Sequence, residues 1–429
     1  MLKLKEKMKG RENQMKKENK KISEMRNQVE LFMAKKQFKM SKGITLVALV
    51  ITIVILIILA VITINFAFGD NGLIKQAEKA RDYQANADSA DSKLLNDATE
   101  YIDGIIGGGS SGGDTPTEPV TPSEVEQAKN SGDAFNNTTT IKDDLENEVT
   151  IPGGFHVAED SGIKVEEGIV IEDDTGNQFV WIPVGEYQTT DEDEPTKTNN
   201  LSRRTFTSSG ATEVDGDNPI DGRSGGGTVE CYGEGNEDSV AKNQIESFKT
   251  SATTHRGFYI GRYEAGTEVE RTSSSDELTI PLVQANKNAY AYVTRDQAKA
   301  QSEAMYSGNE HVTSELISSY AWDTALNFIC QNNEYGYNLA TTMDSTHGNI
   351  GTNKKELTGA YVASKYNNIY DLIGNIAEWT TEYADNDSAK CVGRGGSCFY
   401  NNYSVSDRGT DTTIASNRND AFRVQLYVK

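Results

Sequence analysis

The longest uniform feature of the chain is apolar. The run "ITLVALVITIVILIILAVITINFAF", from Ile44 to Phe68, spans 25 residues without a charge. At about 1.5 Å per residue, a helix of that length exceeds the roughly 30 Å hydrocarbon core of a bilayer, so the pattern predicts a membrane-spanning helix over 44–68. Beyond the "GDNG" break, Leu73, Ala77, Ala80, Ala87, Ala90, Leu94, Ala98, Tyr101 and Ile105 make a helical stripe, which predicts a helical spacer over 69–106. "GGGSSGGDTPTEPVTPSE" then ends all periodicity and opens a flexible linker, read over 107–150.

From about Ile151 the pattern turns to short strand runs between polar loops. "NQFVWIPVGEY" alternates around Phe179, Trp181 and Val184, and "GFYIGRYEAG" reads as a second strand. Residues 188–250, between them, are rich in Asp, Gly, Ser and Thr and read as a long solvated insertion. Thr294 with Gln297 predicts a capping box at the head of a helix. Ser319 is the expected cap of a second helix, with Trp322, Ala325, Leu326 and Ile329 on one face. Strands and helices in this irregular mixture predict an α+β domain over 151–429.

Charge sharpens the picture at the ends. Residues 1–43 carry fourteen Lys or Arg against five Glu, which leaves −31 for the rest of a chain of formal charge −22. A basic leader over 1–43 before the apolar run predicts a cytoplasmic N-terminus and an outward-facing remainder, anchored by a single pass in a bacterial membrane. A body so acidic excludes nucleic acid as a partner, since binders of nucleic acid need basic patches that displace counterions. Cys231, Cys330, Cys391 and Cys398 show no CxxC spacing, and His156, His255, His311 and His347 lie far apart, so no zinc pattern is present.

Two resemblances add to this. The junction "KMSKGITLVALVITIVIL" resembles the start of type IV prepilin-like proteins, which implies cleavage between Gly43 and Ile44, methylation, and prepilin peptidase and pilin-like subunits as partners. Ile44 stands where that family usually has Phe, and Ala48 where it usually has the Glu used in filament entry. A plain signal anchor is the alternative. Further along, "FVWIPVG", "GFYIGRYEAG", "VTRDQAKAQSEAM", "SSYAWDTALNFI", "IYDLIGNIAEWTTEY", "RGGSCF" and "AFRVQLY" occur in an order that resembles the formylglycine-generating enzyme (sulfatase-modifying factor) family. The resemblance covers about residues 150–429 and implies a variant of the C-type lectin fold.

What the second resemblance implies about chemistry divides three ways. Oxidase members bind copper through two cysteines beyond the RGGS turn. Here only Cys398 lies there, and one thiolate is too few for copper(I), so neither copper nor a catalytic residue is expected. The turn "DLIGNIAEW" in that family wraps calcium, which implies a structural ion on the side chains of Asp371 and Glu378 and the carbonyls of Gly374 and Ile376. Pairing of Glu378 with an arginine is the competing reading. The family also includes ligand-binding proteins diversified by retroelements, whose varied positions lie between RGGS and FRV.

That segment is composed here of Tyr, Asn, Ser, Asp and Thr. Such residues favour turns, and exposed Tyr among small polar residues is also the composition of antibody paratopes. Tyr400, Asn401, Asn402, Tyr403, Ser404, Ser406, Asp407 and Arg408 are therefore the expected ligand-binding face. Arg394, Gly395, Gly396, Ser397, Phe422, Arg423 and Val424 are its expected framework, with Cys398 part of it. The sequence thus reads as a surface-displayed binding protein with an extracellular protein or glycan ligand. A copper-dependent oxidase and a structural minor pilin are the alternatives.

Overall fold

A computed structural model describes residues 121–429, apart from 225–226, 234–238, 386–389 and 413. The leader, the expected membrane helix, the Gly43–Ile44 junction and the helical spacer lie outside the described residues. Among those described, no helix is long and apolar enough to cross a membrane. Pro119–Lys429 forms one compact unit.

Folded structure starts earlier than the sequence suggests. The helix Glu124–Ser131 is capped by the Ser123 hydroxyl, which accepts from the Glu126 amide at 3.2 Å. The strands Thr139–Lys142 and Glu148–Ile151 then form a hairpin. Its turn is held by Asp143, whose Oδ1 accepts from the amides of Leu145 and Asn147 at 2.8 and 2.9 Å. The expected linker over 107–150 is therefore too long by some thirty residues at its far end. The helix escapes a hydrophobic pattern because only Val125 in it is buried.

The unit is α+β, with many strands and few helices. One six-stranded sheet runs in the order Val312–Leu316, Val424–Val428, Gly257–Gly261, Gln178–Pro183, Val170–Asp173, Phe155–Val157. Its neighbouring strands are antiparallel throughout. Gly257–Gly261 and Val424–Val428 are buried at every position, as central strands covered on both faces should be. Trp181, Tyr259, Phe258 and Phe248 pack edge-on in this core, at ring separations of 5.0 and 5.1 Å for the pairs Trp181–Tyr259 and Phe248–Phe258.

The second six-stranded sheet carries the candidate site. Its order is Gly227–Tyr232, Ile220–Ser224, Gly409–Asp411, Cys391–Arg394, Ala377–Ala384, Asp420–Phe422, and Gly227–Tyr232 also pairs with Ala377–Ala384. Five of the strands thereby close into a ring. Two of those five come from 188–250, so the expected solvated insertion is part of the framework. It buries charged and polar side chains, Asn199, Arg203 and Arg204, beside scattered apolar ones, Ile220, Val229, Cys231, Ile245 and Phe248.

Helix Ser319–Gln331 packs against this assembly with all but its last residue buried. Its cap is Ser318, one residue before the expected Ser319; the Ser318 hydroxyl accepts from the Ala321 amide at 3.2 Å. The capping box at Thr294 and Gln297 is present in both directions.

A candidate binding cleft on a buried ionic anchor

Alternation along the strands of the second sheet assigns its two faces. In register across it stand Arg223, Gly409, Gly393, Trp379 and Phe422. Asp411 and Cys391 pair in a parallel row, and so do Asp420 and Ala377. The residues between these, Arg394, Glu378, Glu382 and Arg408, point the other way, toward helix Ser319–Gln331.

On that inner side lies a closed set of charges. Arg408 Nη2 is 2.6 Å from Asp323 Oδ2, and Arg408 Nε is 2.7 Å from Glu382 Oε1. Arg394 bridges the same two acids at 2.6 and 3.2 Å, and Arg203 reaches Glu382 at 3.3 Å. None of the five side chains is more than 3% exposed. Burial opposes the Glu382 charge, but Arg408, Arg394 and Arg203 outweigh it and hold the carboxyl well below its ordinary range. Burial likewise opposes the Arg408 charge, and Asp323 and Glu382 overcome it and raise the pKa of the guanidinium. Arg394 also lies over the Trp322 ring at 4.1 Å.

On the outer side is a cleft of 350 Å³. Gly393 and Gly409 face each other in register along it and contribute no side chain. A Cβ on either glycine would meet nothing closer than 3.7 Å, so the cleft exists because both positions lack one. Trp379, Ala377, Arg223, Asp411, Asn419 and Asp420 line it together with the loop after the RGGS turn. Tyr400 and Tyr403 stand in edge-to-face contact at its rim, 6.4 Å apart. Tyr400 is 46% exposed, and its hydroxyl accepts from Asn419 Nδ2 at 3.0 Å. Arg223 pairs with Asp407 at 3.6 Å.

The expected binding residues divide on this geometry. Tyr400, Asn402, Tyr403, Ser404 and Asp407 line the cleft. Asn401 is exposed beside it, and Ser406 is half-buried with its amide donating to Ala340 O at 3.0 Å. Arg408 is a correction: it is buried and belongs to the anchor, because the alternation that aims Gly409 outward aims Arg408 inward. Sequence reasoning missed Arg223, Gly393, Gly409, Asp411, Asn419 and Asp420. The period of two in "CVGR", "GTD" and "DAF" was the available signal.

Asp420 is the unusual member. It is 9% exposed, and its Oδ2 has no hydrogen-bond partner; Asn419 Oδ1 is likewise buried and unpartnered. Burial, with the Asp411 charge adding to it, raises the Asp420 carboxyl to about 7 against a backbone hydrogen bond from Asn417.

Elsewhere the predicted chemistry is quiet. All four cysteines are free and buried. Burial, followed by the charge of Glu264, pushes the Cys398 thiol up to about 12, and burial also raises Cys391. In the expected calcium turn, Asp371 accepts from the Gly359 amide at 2.6 Å and from Ser364 Oγ at 2.7 Å. Glu378 accepts from Arg423 Nη2 and Nε at 2.5 and 2.8 Å and from Trp322 Nε1 at 3.2 Å. Both carboxylates are thus engaged by protein donors, with Glu378 on an arginine; the Gly374 amide donates to Gly395 O, and Ile376 is in the core. Among the described residues no group of three or more His, Cys, Asp or Glu is placed to hold a metal.

A wider depression of 740 Å³ lies around Gln331–Glu334 and Lys365–Asn368. Much of its amide lining is spent internally, as in Asn333 Nδ2 to Asn367 Oδ1 at 2.7 Å and Asn367 Nδ2 to Glu166 O at 2.6 Å.

No family model matches the chain, and no curated protein matches it. Among solved structures, one described as the crystal structure of CarF aligns over 58% of this chain and 98% of that chain, at 15% identity and a TM-score of 0.30. A likeness of that size carries no argument about fold or function.

Proposed function

We propose that the chain is a surface-displayed binding protein. In this reading 44–68 anchors it in a bacterial membrane, and the unit that follows is a C-type-lectin-like domain of the formylglycine-generating type used for recognition. The observation that carries it is the pairing of two opposite properties in one short segment. Tyr400 and Tyr403 stand at the rim of an open cleft, while Arg408, five residues after Tyr403, is locked beneath them. Phenol rings on a fixed backbone offer a large contact area with little conformational entropy left to lose.

The reading is supported further by the backbone beneath the rim. Gly395 and Gly396 turn it with φ of 95° and 76°, a conformation that glycine takes without strain. The amide of Gly395 donates to Val405 O at 3.1 Å, and the amide of Val405 to Thr342 O at 3.3 Å. No observation favours the copper oxidase, whose thiol would have to be Cys398, buried and protonated.

The test is capture by the full chain on arrays of extracellular peptides and of glycans. Capture that is lost in the Tyr400→Ala/Tyr403→Ala variant is the expected result. Failure to capture from either array, together with copper-dependent oxygen consumption on a cysteine peptide that Cys398→Ser abolishes, would replace this reading with the enzyme.

A further inference from the structure

The cleft holds two buried acceptors that none of its own donors reaches. Asp420 Oδ2 and Asn419 Oδ1 are both enclosed, both oxygen, and both without a partner. Leaving such atoms unsatisfied costs free energy, more for a charged group than for an amide, so a ligand that supplies N–H donors recovers it. Charge points the same way. Asp411 and Asp420 repel one another across the cleft, and no cation is among the groups that act on Asp420. Of the two arginines that line the cleft, Arg394 is held in the inner anchor, and Arg223, at the end of the row, is paired with Asp407.

Shape adds a third constraint. The trough between the carboxylates and solvent is walled by Trp379, Tyr400 and Tyr403 and floored by two glycines. Rings along the path and a carboxylate at its end match a group with an apolar stem and a cationic head. Aromatic faces attract such a head as it passes, and the stem keeps its methylenes out of water.

We infer that the cleft receives a lysine or arginine side chain of a partner protein, with the ammonium or guanidinium head on Asp420 and Asn419 and the stem between Trp379 and Tyr403. This rests on the reading of the segment as a binding face and gives that face its ligand chemistry. The stem is what favours a protein side chain over an amino sugar, which carries its charge directly on a polar ring.

Titration calorimetry with the full chain tests it, using the blocked peptide Gly-Gly-Lys-Gly-Gly, the same peptide with its lysine Nζ-acetylated, its arginine counterpart, and glucosamine. The expected result is binding of the lysine or arginine peptide, with loss of about tenfold or more on acetylation and in Asp420→Asn. At pH 8, above the raised Asp420 pKa of about 7, Asp420→Asn removes a buried, unpaired charge, so its melting temperature should equal or exceed that of the parent, which separates a lost contact from a lost fold. Equal binding of the acetylated peptide, undiminished binding by Asp420→Asn, absence of binding by either cationic peptide, or binding of glucosamine alone would each overturn the inference. Array capture that needs Tyr400 and Tyr403 but ignores Asp420 would leave the binding face standing and remove only its cationic ligand.

Discussion

The Arg408 guanidinium lies 2.6 Å from the Asp323 carboxylate, with both side chains out of solvent. Asp323 sits on the central helix, and Arg408 ends the segment that carries Tyr400 and Tyr403. That segment and the core are thus joined by a charge pair as well as by the apolar packing of Val405. Removing one partner of such a pair leaves the other buried and uncompensated, at a cost of about 3–5 kcal/mol. Arg408→Met should lower stability to urea by that amount and weaken ligand capture. A change below about 1 kcal/mol would show that the pair does not anchor the loop.

Gly393 and Gly409 offer the converse experiment, filling the cleft while sparing the fold. Neither has a positive φ, and a Cβ at either makes only ordinary contacts. Gly393→Val places a strand-favouring side chain in the trough. Its expected outcome is loss of capture with stability changed by less than about 1 kcal/mol; retained capture would place the ligand outside the cleft.

The pH dependence of stability has a definite sign at Asp420. Its folded pKa of about 7 stands above the ordinary carboxylate value, so the folded state holds a proton that the unfolded state has released. That contribution is largest below the unfolded pKa and is lost as pH rises toward 7. Glu315, raised by burial to about 7, and Asp371, raised by burial to about 6, slope the same way. The difference between the parent and Asp420→Asn therefore isolates the site. Urea denaturation from pH 4 to 8 should show the parent losing stability relative to Asp420→Asn as pH rises, and parallel curves would contradict the assignment.

The thiols should be inert while the fold lasts. Cys231, Cys330 and Cys398 are each pushed up to about 12, first by burial. A thiol in that state offers almost no thiolate at neutral pH. Ellman's reagent should titrate all four cysteines only in denaturant, and fast reaction of one native thiol would reopen a catalytic role for it.

What was legible in the sequence follows from what a hydrophobic pattern can register. The strand around Trp181, the Gly257–Gly261 strand and the Thr294–Gln297 capping box are where apolar runs and cap chemistry place them. The stripe of Trp322, Ala325, Leu326 and Ile329 is also present, but the helix is buried on its polar side as well. Asp323 and Asn327 there meet Arg394, Arg408 and Asn199. Buried charges have no apolar period, and the buried apolar residues of 188–250 are scattered among polar ones, so 188–250 reads as solvent-facing and Arg408 as part of the binding face. The cleft itself was half visible. Composition marked Tyr400 and Tyr403, whereas Asp411, Asn419 and Asp420 reach it only through pairing between strands distant in sequence.

The most direct test of the account compares ligand capture and melting temperature in the parent and in Tyr400→Ala/Tyr403→Ala. Both rings stand at the rim rather than in the core, so capture should vanish while the melting temperature moves by no more than about 2 °C. Undiminished capture, or a collapse of the melting temperature that explains the loss, would contradict a recognition surface carried on an independent scaffold.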